Sequence, residues 1–254
     1  MKSCIILGSG RSGTSMVAGT LSKAGYFMGT QLIPARDGNP KGFFEDSEVN
    51  QINEDLLAKV LPSRPRLLGR WFFQNRPLMG QRWLSALPPC TEIPITTEQI
   101  RRIENVVKNR PFCLKDPRFS YTLPAWRPYL PDSRYICVFR DPQSTVNSIM
   151  KEVQNEPHLH HFHISFKQAL EIWILMYRSI IDYATSENWL FIHCNQILHG
   201  DGLQRLADFT QAEVDTSFPD AALQRSITEK PVPERALEVY RKLCELADFK
   251  NLKE

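Results

Sequence analysis

Four short runs stand out from the pattern of apolar and polar positions: residues 3–7 (SCIIL), 112–115 (FCLK), 134–139 (RYICVF) and 189–194 (WLFIHC). Each is continuously apolar rather than alternating, which predicts strands buried on both faces of a parallel sheet. Helical spacing fills the gaps between them. Met16, Val17, Leu21 and Ala24 share one helical face after the first run, with Gly25 as the C-terminal stop. Val49, Ile52, Leu56, Leu57 and Val60 repeat the spacing over 47–61. Thr96 and Gln99 are placed as a capping box ahead of Ile100, Ile103, Val106 and Val107. Asp141-Pro142 reads as an N-cap and first helical position before Val146 and Ile149. A long amphipathic helix is predicted over 166–184 with Leu170, Trp173, Tyr177 and Ile181 inward, and a last one over 234–247. Strands alternating with helices imply right-handed crossovers and an α/β fold. The expected form is a three-layer arrangement, a central parallel sheet flanked by helices. No linker, charge block or repeat divides the chain, so residues 1–254 read as one domain.

Sheets of this kind bind ligands at the carboxyl ends of their strands. The positions to inspect are therefore residues 8–15, Lys115-Asp116, Arg140-Asp141 and Asn195. Residues 8–15, GSGRSGTS, nearly spell a Walker A loop: Gly8, Gly13 and Ser15 are in register, but Thr14 stands where the lysine belongs. A glycine-rich turn from strand to helix aims several backbone N–H groups at one point that suits phosphate or sulfate. Here the positive charge comes earlier, from Arg11 at the tip, and Thr14 and Ser15 add hydroxyls. Such a loop can grip a terminal phosphate or sulfonate without a metal; the bland alternative is a tight turn with no ligand. In the segment RYICVFRDPQSTVNSIM, Arg140 ends a strand and Ser148 follows eight residues later, about two turns into a helix. The two can converge on one phosphate, or form a surface pair with Asp141 beside an ordinary helix serine.

Composition narrows the partners. With 254 residues, 42% hydrophobic, 23% charged and a net charge of +3, the chain has the make-up of an ordinary globular protein. That charge is too mild for a nucleic-acid binder but suits a small polyanion. No apolar run reaches the ~18 residues of a membrane span, and the N-terminal apolar run is shorter than the ~7–15 residues of a signal peptide, so the expected location is cytoplasmic. Of six cysteines, Cys4, Cys113, Cys137 and Cys194 sit in strand-like runs and read as buried thiols. His158, His160, His161 and His163 have no metal-ligand spacing and read as a loop before the long helix.

The loop GSGRSGTS after the first strand and FRDPQSTVNS after a later one together resemble the two cofactor-binding motifs of sulfotransferases that use 3′-phosphoadenosine 5′-phosphosulfate. The likeness covers about residues 1–210 and implies a three-layer fold like that of P-loop-containing nucleotide-binding proteins. It implies that Gly10, Arg11, Ser12, Gly13, Thr14 and Ser15 hold the 5′-phosphosulfate and that Arg140 and Ser148 hold the 3′-phosphate. CLKDPRF resembles the intervening family strand, which gives Lys115 a role at the leaving group. The acceptor implied is a hydroxyl of a small molecule, lipid or carbohydrate, with no metal required. Cytosolic aryl and steroid members carry a catalytic histidine where this chain has Pro117, and their C-terminal R-K-G loop is absent; Arg225 or Lys230 stands as its replacement. The segments NPKGFFEDSEVNQINEDLL and LFIHCNQILHGDGLQRLADF look like those of bacterial members, which points to a carboxylate base.

Sulfuryl transfer needs a group to take the acceptor's proton. Glu45 is the first candidate, placed on the site's rim before a helix near Asp46-Ser47, with Phe43 and Phe44 desolvating it and so raising its pKa. Asp116 is the second, with a partner role to Lys115 or Arg118 as its alternative. Lys115 and Arg11 supply charge to the developing leaving group. Trp71, Phe72, Phe73 and Trp83 read either as an acceptor lining or as cover for residues 62–95. A magnesium-dependent P-loop kinase or nucleotide hydrolase is the competing function. It needs FCLKD as a Walker B strand ending in Asp116, a pattern that Lys115 interrupts. A non-catalytic nucleotide sensor is the third.

Overall fold

The computed structural model describes residues 1–65, 69–184, 187–223 and 231–250. Its centre is a four-stranded parallel sheet of β1 (Cys4–Leu7), β2 (Cys113–Lys115), β3 (Arg134–Phe139) and β4 (Trp189–His193), in the order β2-β1-β3-β4. Ile5 pairs with Leu114 on one side and Tyr135 on the other; Cys137 pairs with Phe191. The helices are α1 (Thr14–Leu21), α2 (Ser47–Leu57), the single turn α3 (Gly69–Phe72), α4 (Thr97–Val107), α5 (Phe119–Trp126), α6 (Pro142–Asn155), α7 (Phe166–Tyr183), α8 (Cys194–His199), α9 (Gly202–Thr210) and α10 (Glu234–Leu246).

Both faces of the sheet are covered, and the two-residue period of a strand sorts the side chains between them. Ile5, Leu7, Leu114, Cys137, Phe139 and Phe191 join a core with Ile52 of α2, Ile103 of α4, Leu123 of α5, Val146 of α6, Trp173 of α7 and Leu243 of α10. Cys4, Ile6, Cys113, Ile136, Val138 and Ile192 join the opposite core with Val17 and Leu21 of α1, Ile197 of α8 and Leu206 of α9. This is why the strand runs are apolar throughout. Cys4, Cys113, Cys137 and Cys194 are buried free thiols as expected.

The predicted starts of α4 and α6 are observed with their chemistry. Thr96 and Gln99 form a capping box. Asp141 accepts from the Ser144 amide at 2.8 Å, and Pro142 opens the helix. The structure differs from the sequence reading in several places. α1 ends at Leu21, ahead of Gly25. Cys194 starts α8 rather than ending β4, because the His193 ring caps that helix by accepting from the Asn195 amide. α3, α5, α8 and α9 are additional helices that the sequence reading does not contain, and α2 ends at Leu57 rather than at 61.

His193 also stacks on Phe249 at 4.0 Å and meets the Tyr240 hydroxyl at 3.3 Å. Burial, and then the nearby Arg140 cation, push its pKa down to about 3. Its neutral form therefore contributes stability that is complete above an ordinary histidine pKa of about 6.5 and is lost as pH falls toward 3. The thermal midpoint of the wild type is expected to fall more steeply below pH 6.5 than that of His193→Asn, which keeps a capping acceptor without the titrating ring. Parallel curves in a pH series of melts would count against this.

Candidate active site

The helices after β1 and β3 lie on opposite faces of the sheet, α1 on one and α6 on the other. Neighbouring strands whose connections diverge in this way open a crevice at their carboxyl ends. A cleft of about 790 Å³ occupies that place, with Arg11, Thr14, Ser15, Arg140 and Ser148 in its wall.

The loop after β1 is shaped by close contacts. Gly8 has φ +140°, and a Cβ there would lie 2.2 Å from the Val138 carbonyl oxygen, so the chain crosses β3 only with glycine. Gly13 takes φ 95° as N-cap of α1, and the first amides of a helix have no partner within it. Tyr177 of α7 braces the loop from below. Its hydroxyl donates to the Val138 carbonyl at 2.8 Å, accepts from the Ser9 amide at 3.2 Å, and lies 2.9 Å from Ser12 Oγ. Arg11 adopts φ 70°, a left-handed backbone that costs a non-glycine residue about 1–3 kcal/mol. Its guanidinium is held at three points: Nε donates to Ser148 Oγ at 3.2 Å, Nη2 donates to the Gly38 carbonyl at 2.7 Å, and Nη1 lies 3.4 Å from Glu152 Oε2.

The expected site residues thus fall into two groups. Arg11, Gly13, Thr14, Ser15, Arg140 and Ser148 share the cleft. Arg11, assigned to one end of the ligand, touches Ser148, assigned to the other. Gly10 and Ser12 face inward: a Cβ on Gly10 would meet the Trp83 ring at 2.5 Å, and the Ser12 hydroxyl is turned to Tyr177.

Glu45 and Lys115 are buried and are not among the residues that line the cleft. Asp46 caps α2 by accepting from the Glu48 and Val49 amides, which fixes Glu45 immediately before that helix. Lys115 Nζ donates to Glu45 Oε1, and Asn50 Nδ2 donates to Glu45 Oε2 at 3.0 Å. Both Glu45 and Lys115 are buried, so Glu45 is not on the rim. Its pKa moves opposite to the expectation as well. Burial pushes it up, but the Lys115 and Arg118 charges and the two hydrogen bonds outweigh burial and hold the carboxyl below its usual range. The sequence carries no sign of this, because the partner cation lies 70 residues away.

Asp116 is fully buried, and each of its oxygens is engaged. Oδ1 accepts from the Arg118 amide at 2.8 Å and from Arg118 Nη1 at 3.0 Å; Oδ2 accepts from Asn53 at 2.9 Å. Burial raises its pKa. Of its two expected roles, the geometry is that of a partner to Arg118, which also donates to Glu54 at 2.7 Å; Glu54 in turn receives Arg82 at 2.7 Å.

The cleft also contains residues that the motifs do not point to. Residues 36–42 form one wall, with Lys41 Nζ donating to the Phe218 carbonyl at 2.8 Å and lying 3.4 Å from Asp220. Glu152 and Glu156 of α6 line the cleft beside that wall, with Glu156 3.9 Å from Arg36. Glu152 follows Ser148 by four residues, an i, i+4 pair on one helical face, and that spacing could have revealed it. Trp71 and Phe72 do not line the cleft; they are 77% and 74% exposed. His158 lies 3.6 Å from Glu156 and contacts Arg36. Among the described residues, no group of three or more His, Cys, Asp or Glu is placed to hold a metal ion, and no helix is long and apolar enough to cross a membrane. Arg225 and Lys230 lie outside the described residues.

Comparison with known proteins agrees with this architecture. The sulfotransferase domain from the Synechococcus PCC 7002 olefin synthase superposes with a TM-score of 0.54 at 16% identity, covering 95% of this chain and 94% of that one. The sulfotransferase domain from the curacin biosynthetic pathway gives 0.54 at 13% identity, covering 98% and 99%. At these identities the likeness is one of fold. No curated protein sequence matches the chain. The model of the sulfotransferase family matches residues 4–199, which include the loop after β1, Lys115, Arg140 and Ser148, and the chain belongs to that family.

Proposed function

We propose that this sulfotransferase takes the sulfuryl group from 3′-phosphoadenosine 5′-phosphosulfate and passes it to a hydroxyl of a small-molecule, lipid or carbohydrate acceptor, with residues 1–254 acting as one domain. The observation that carries the reading is the convergence in one cleft of two motifs far apart in sequence, the glycine loop with Arg11 and the pair Arg140 and Ser148. A ligand with phosphate at both ends needs two such anion sites. Thr14 and Ser15 with the first amides of α1 receive the 5′ end, and Arg140 and Ser148, joined by the Arg11 guanidinium that already bonds Ser148, receive the 3′-phosphate. The acceptor oxygen forms its bond to sulfur as the bond to the leaving phosphate breaks in line. Glu45 takes the acceptor's proton, and Lys115, released from Glu45, meets the negative charge growing on the leaving oxygen.

The competing magnesium-dependent kinase or hydrolase needs Asp116 to face a metal beside the phosphates. Its oxygens are instead satisfied by Arg118 and Asn53, which favours the sulfuryl reading.

Calorimetric titration tests it. Adenosine 3′,5′-bisphosphate is expected to bind in EDTA and more tightly than adenosine 5′-monophosphate. Arg140→Ala should remove a charge-assisted contact of about 1.5–3 kcal/mol, one to two decades in affinity, and erase that preference. Ser148→Ala should reduce it less. A preference that survives both substitutions, or binding that requires magnesium, would return the cleft to the nucleotide-hydrolase class.

A further inference from the structure

A carboxylate beside a phosphate subsite is a puzzle. Glu152 lines the cleft one turn from Ser148, and its side chain is 8% exposed. It is wedged between α6 and the wall formed by residues 36–42: a Cβ on Gly38 would meet Glu152 Oε2 at 2.6 Å. Its partner is Arg11, which it shares with Ser148 and the Gly38 carbonyl. All three nitrogens of the Arg11 guanidinium therefore face protein acceptors. A phosphate seated at Ser148 lies within reach of the same cation, and two anions cannot share it without one of them losing its charge or its place.

We infer that Glu152 is an internal anion occupying Arg11 until the donor arrives, and that it sets phosphate selectivity by competing with the donor's 3′-phosphate for that guanidinium. The inference rests on the donor assigned above.

The charged groups facing Glu152 are Arg11 from the loop after β1, Arg36 from the covering wall and Glu156 from its own helix, with His158 beyond Glu156. Burial raises the Glu152 pKa; Arg11 and Arg36 pull it down, Glu156 pushes it up, and the result lies above the ordinary carboxyl value. When a phosphate engages Arg11, Glu152 loses part of its counter-charge and gains an anionic neighbour. Both changes raise its pKa further, so binding draws a proton onto the carboxyl. The protonated group can then donate its O–H to a phosphate oxygen. Ligands without the 3′-phosphate leave the Arg11–Glu152 pair intact and take up no proton. Glu152 thereby trims the advantage of the 3′-phosphate, which keeps the spent adenosine 3′,5′-bisphosphate from lingering.

The experiment is calorimetry on the full chain, wild type and Glu152→Gln, with adenosine 3′,5′-bisphosphate and adenosine 5′-monophosphate. Each titration is run from pH 5.5 to 8.5 in two buffers of different ionisation enthalpy. The variant is expected to bind the bisphosphate at least about tenfold tighter at the alkaline end, with monophosphate affinity nearly unchanged. Wild-type binding of the bisphosphate should take up a proton fraction that the Glu152→Gln variant does not; the phosphate's own titration is common to both proteins and cancels in the difference. Unchanged affinity with equal proton uptake would overturn the role of Glu152 while leaving the donor assignment standing. Failure of both proteins to prefer the bisphosphate would overturn both. If the variant does not fold, the wild type is compared at pH 8.5, where the free phosphates are already fully ionised: absence of proton uptake on binding bisphosphate beyond that on binding monophosphate overturns the inference.

Discussion

Glu45→Gln is expected to lower kcat by about 10²–10⁴-fold, the usual contribution of a general base, with affinity for adenosine 3′,5′-bisphosphate kept within about threefold. Glutamine retains an oxygen for Lys115 and removes the basicity. Because the Lys115 and Arg118 charges hold Glu45 below its usual pKa against the pull of burial, it is a carboxylate throughout the neutral range. The acid limb of the pH–rate profile should therefore lie below the ordinary glutamate value. In the mechanism proposed above, Lys115 governs the timing: paired with Glu45 it suppresses the base, and once drawn to the leaving oxygen it releases it. The assay uses a labelled sulfuryl donor and a panel of hydroxyl compounds, with Asp116→Asn in parallel. Turnover that survives in Glu45→Gln but dies in a folded Asp116→Asn would move the base to Asp116. Survival in both would assign the proton to substrate or water.

The largest effect on stability is expected at Arg118. It is buried between Asp116 and Glu54, at 3.0 and 2.7 Å. Arg118→Met would leave two carboxylates in a layer that excludes water. Removing one partner of a buried pair costs about 3–5 kcal/mol, mostly through the charge left behind. Urea denaturation measures this directly. Arg101→Met, which breaks the exposed pair with Glu98 at 2.7 Å, serves as the comparison and should leave the midpoint where it was, because water screens that pair. Equal shifts in the two variants would mean that the buried layer is not an electrostatic unit.

The four strands were legible because a central parallel strand is apolar on both sides. α5 was not legible for a related reason. FSYTLPAW is buried on nearly every side and has Pro124 within it, so no polar face marks a 3.6-residue period. In the cleft, Arg140 and Ser148 could be read because their spacing converts directly into two helical turns. Glu152 continues that face but carries the wrong charge for a phosphate site, and only the Arg11 contact gives it a role. The covering wall of residues 36–42 has no periodicity, and its place depends on Lys41 reaching a segment 177 residues later. The direction of the Glu45 pKa was illegible in the same way: a residue's own neighbours set its burial, but its counter-charge came from another strand.

The Tyr177 hydroxyl joins Ser9, Ser12 and Val138, partners as far as 168 residues from it in the chain. The curvature of GSGRSGTS is thus not a property of those eight residues. It is imposed from underneath by a strand and a helix that must already be seated. The loop is consequently not portable: transplanted between another strand and helix, the same letters would lack the hydroxyl that gathers them, and the amides would no longer converge. The wall of residues 36–42 lines the cleft and α7 does not, yet it is α7 that determines whether there is a cradle there at all.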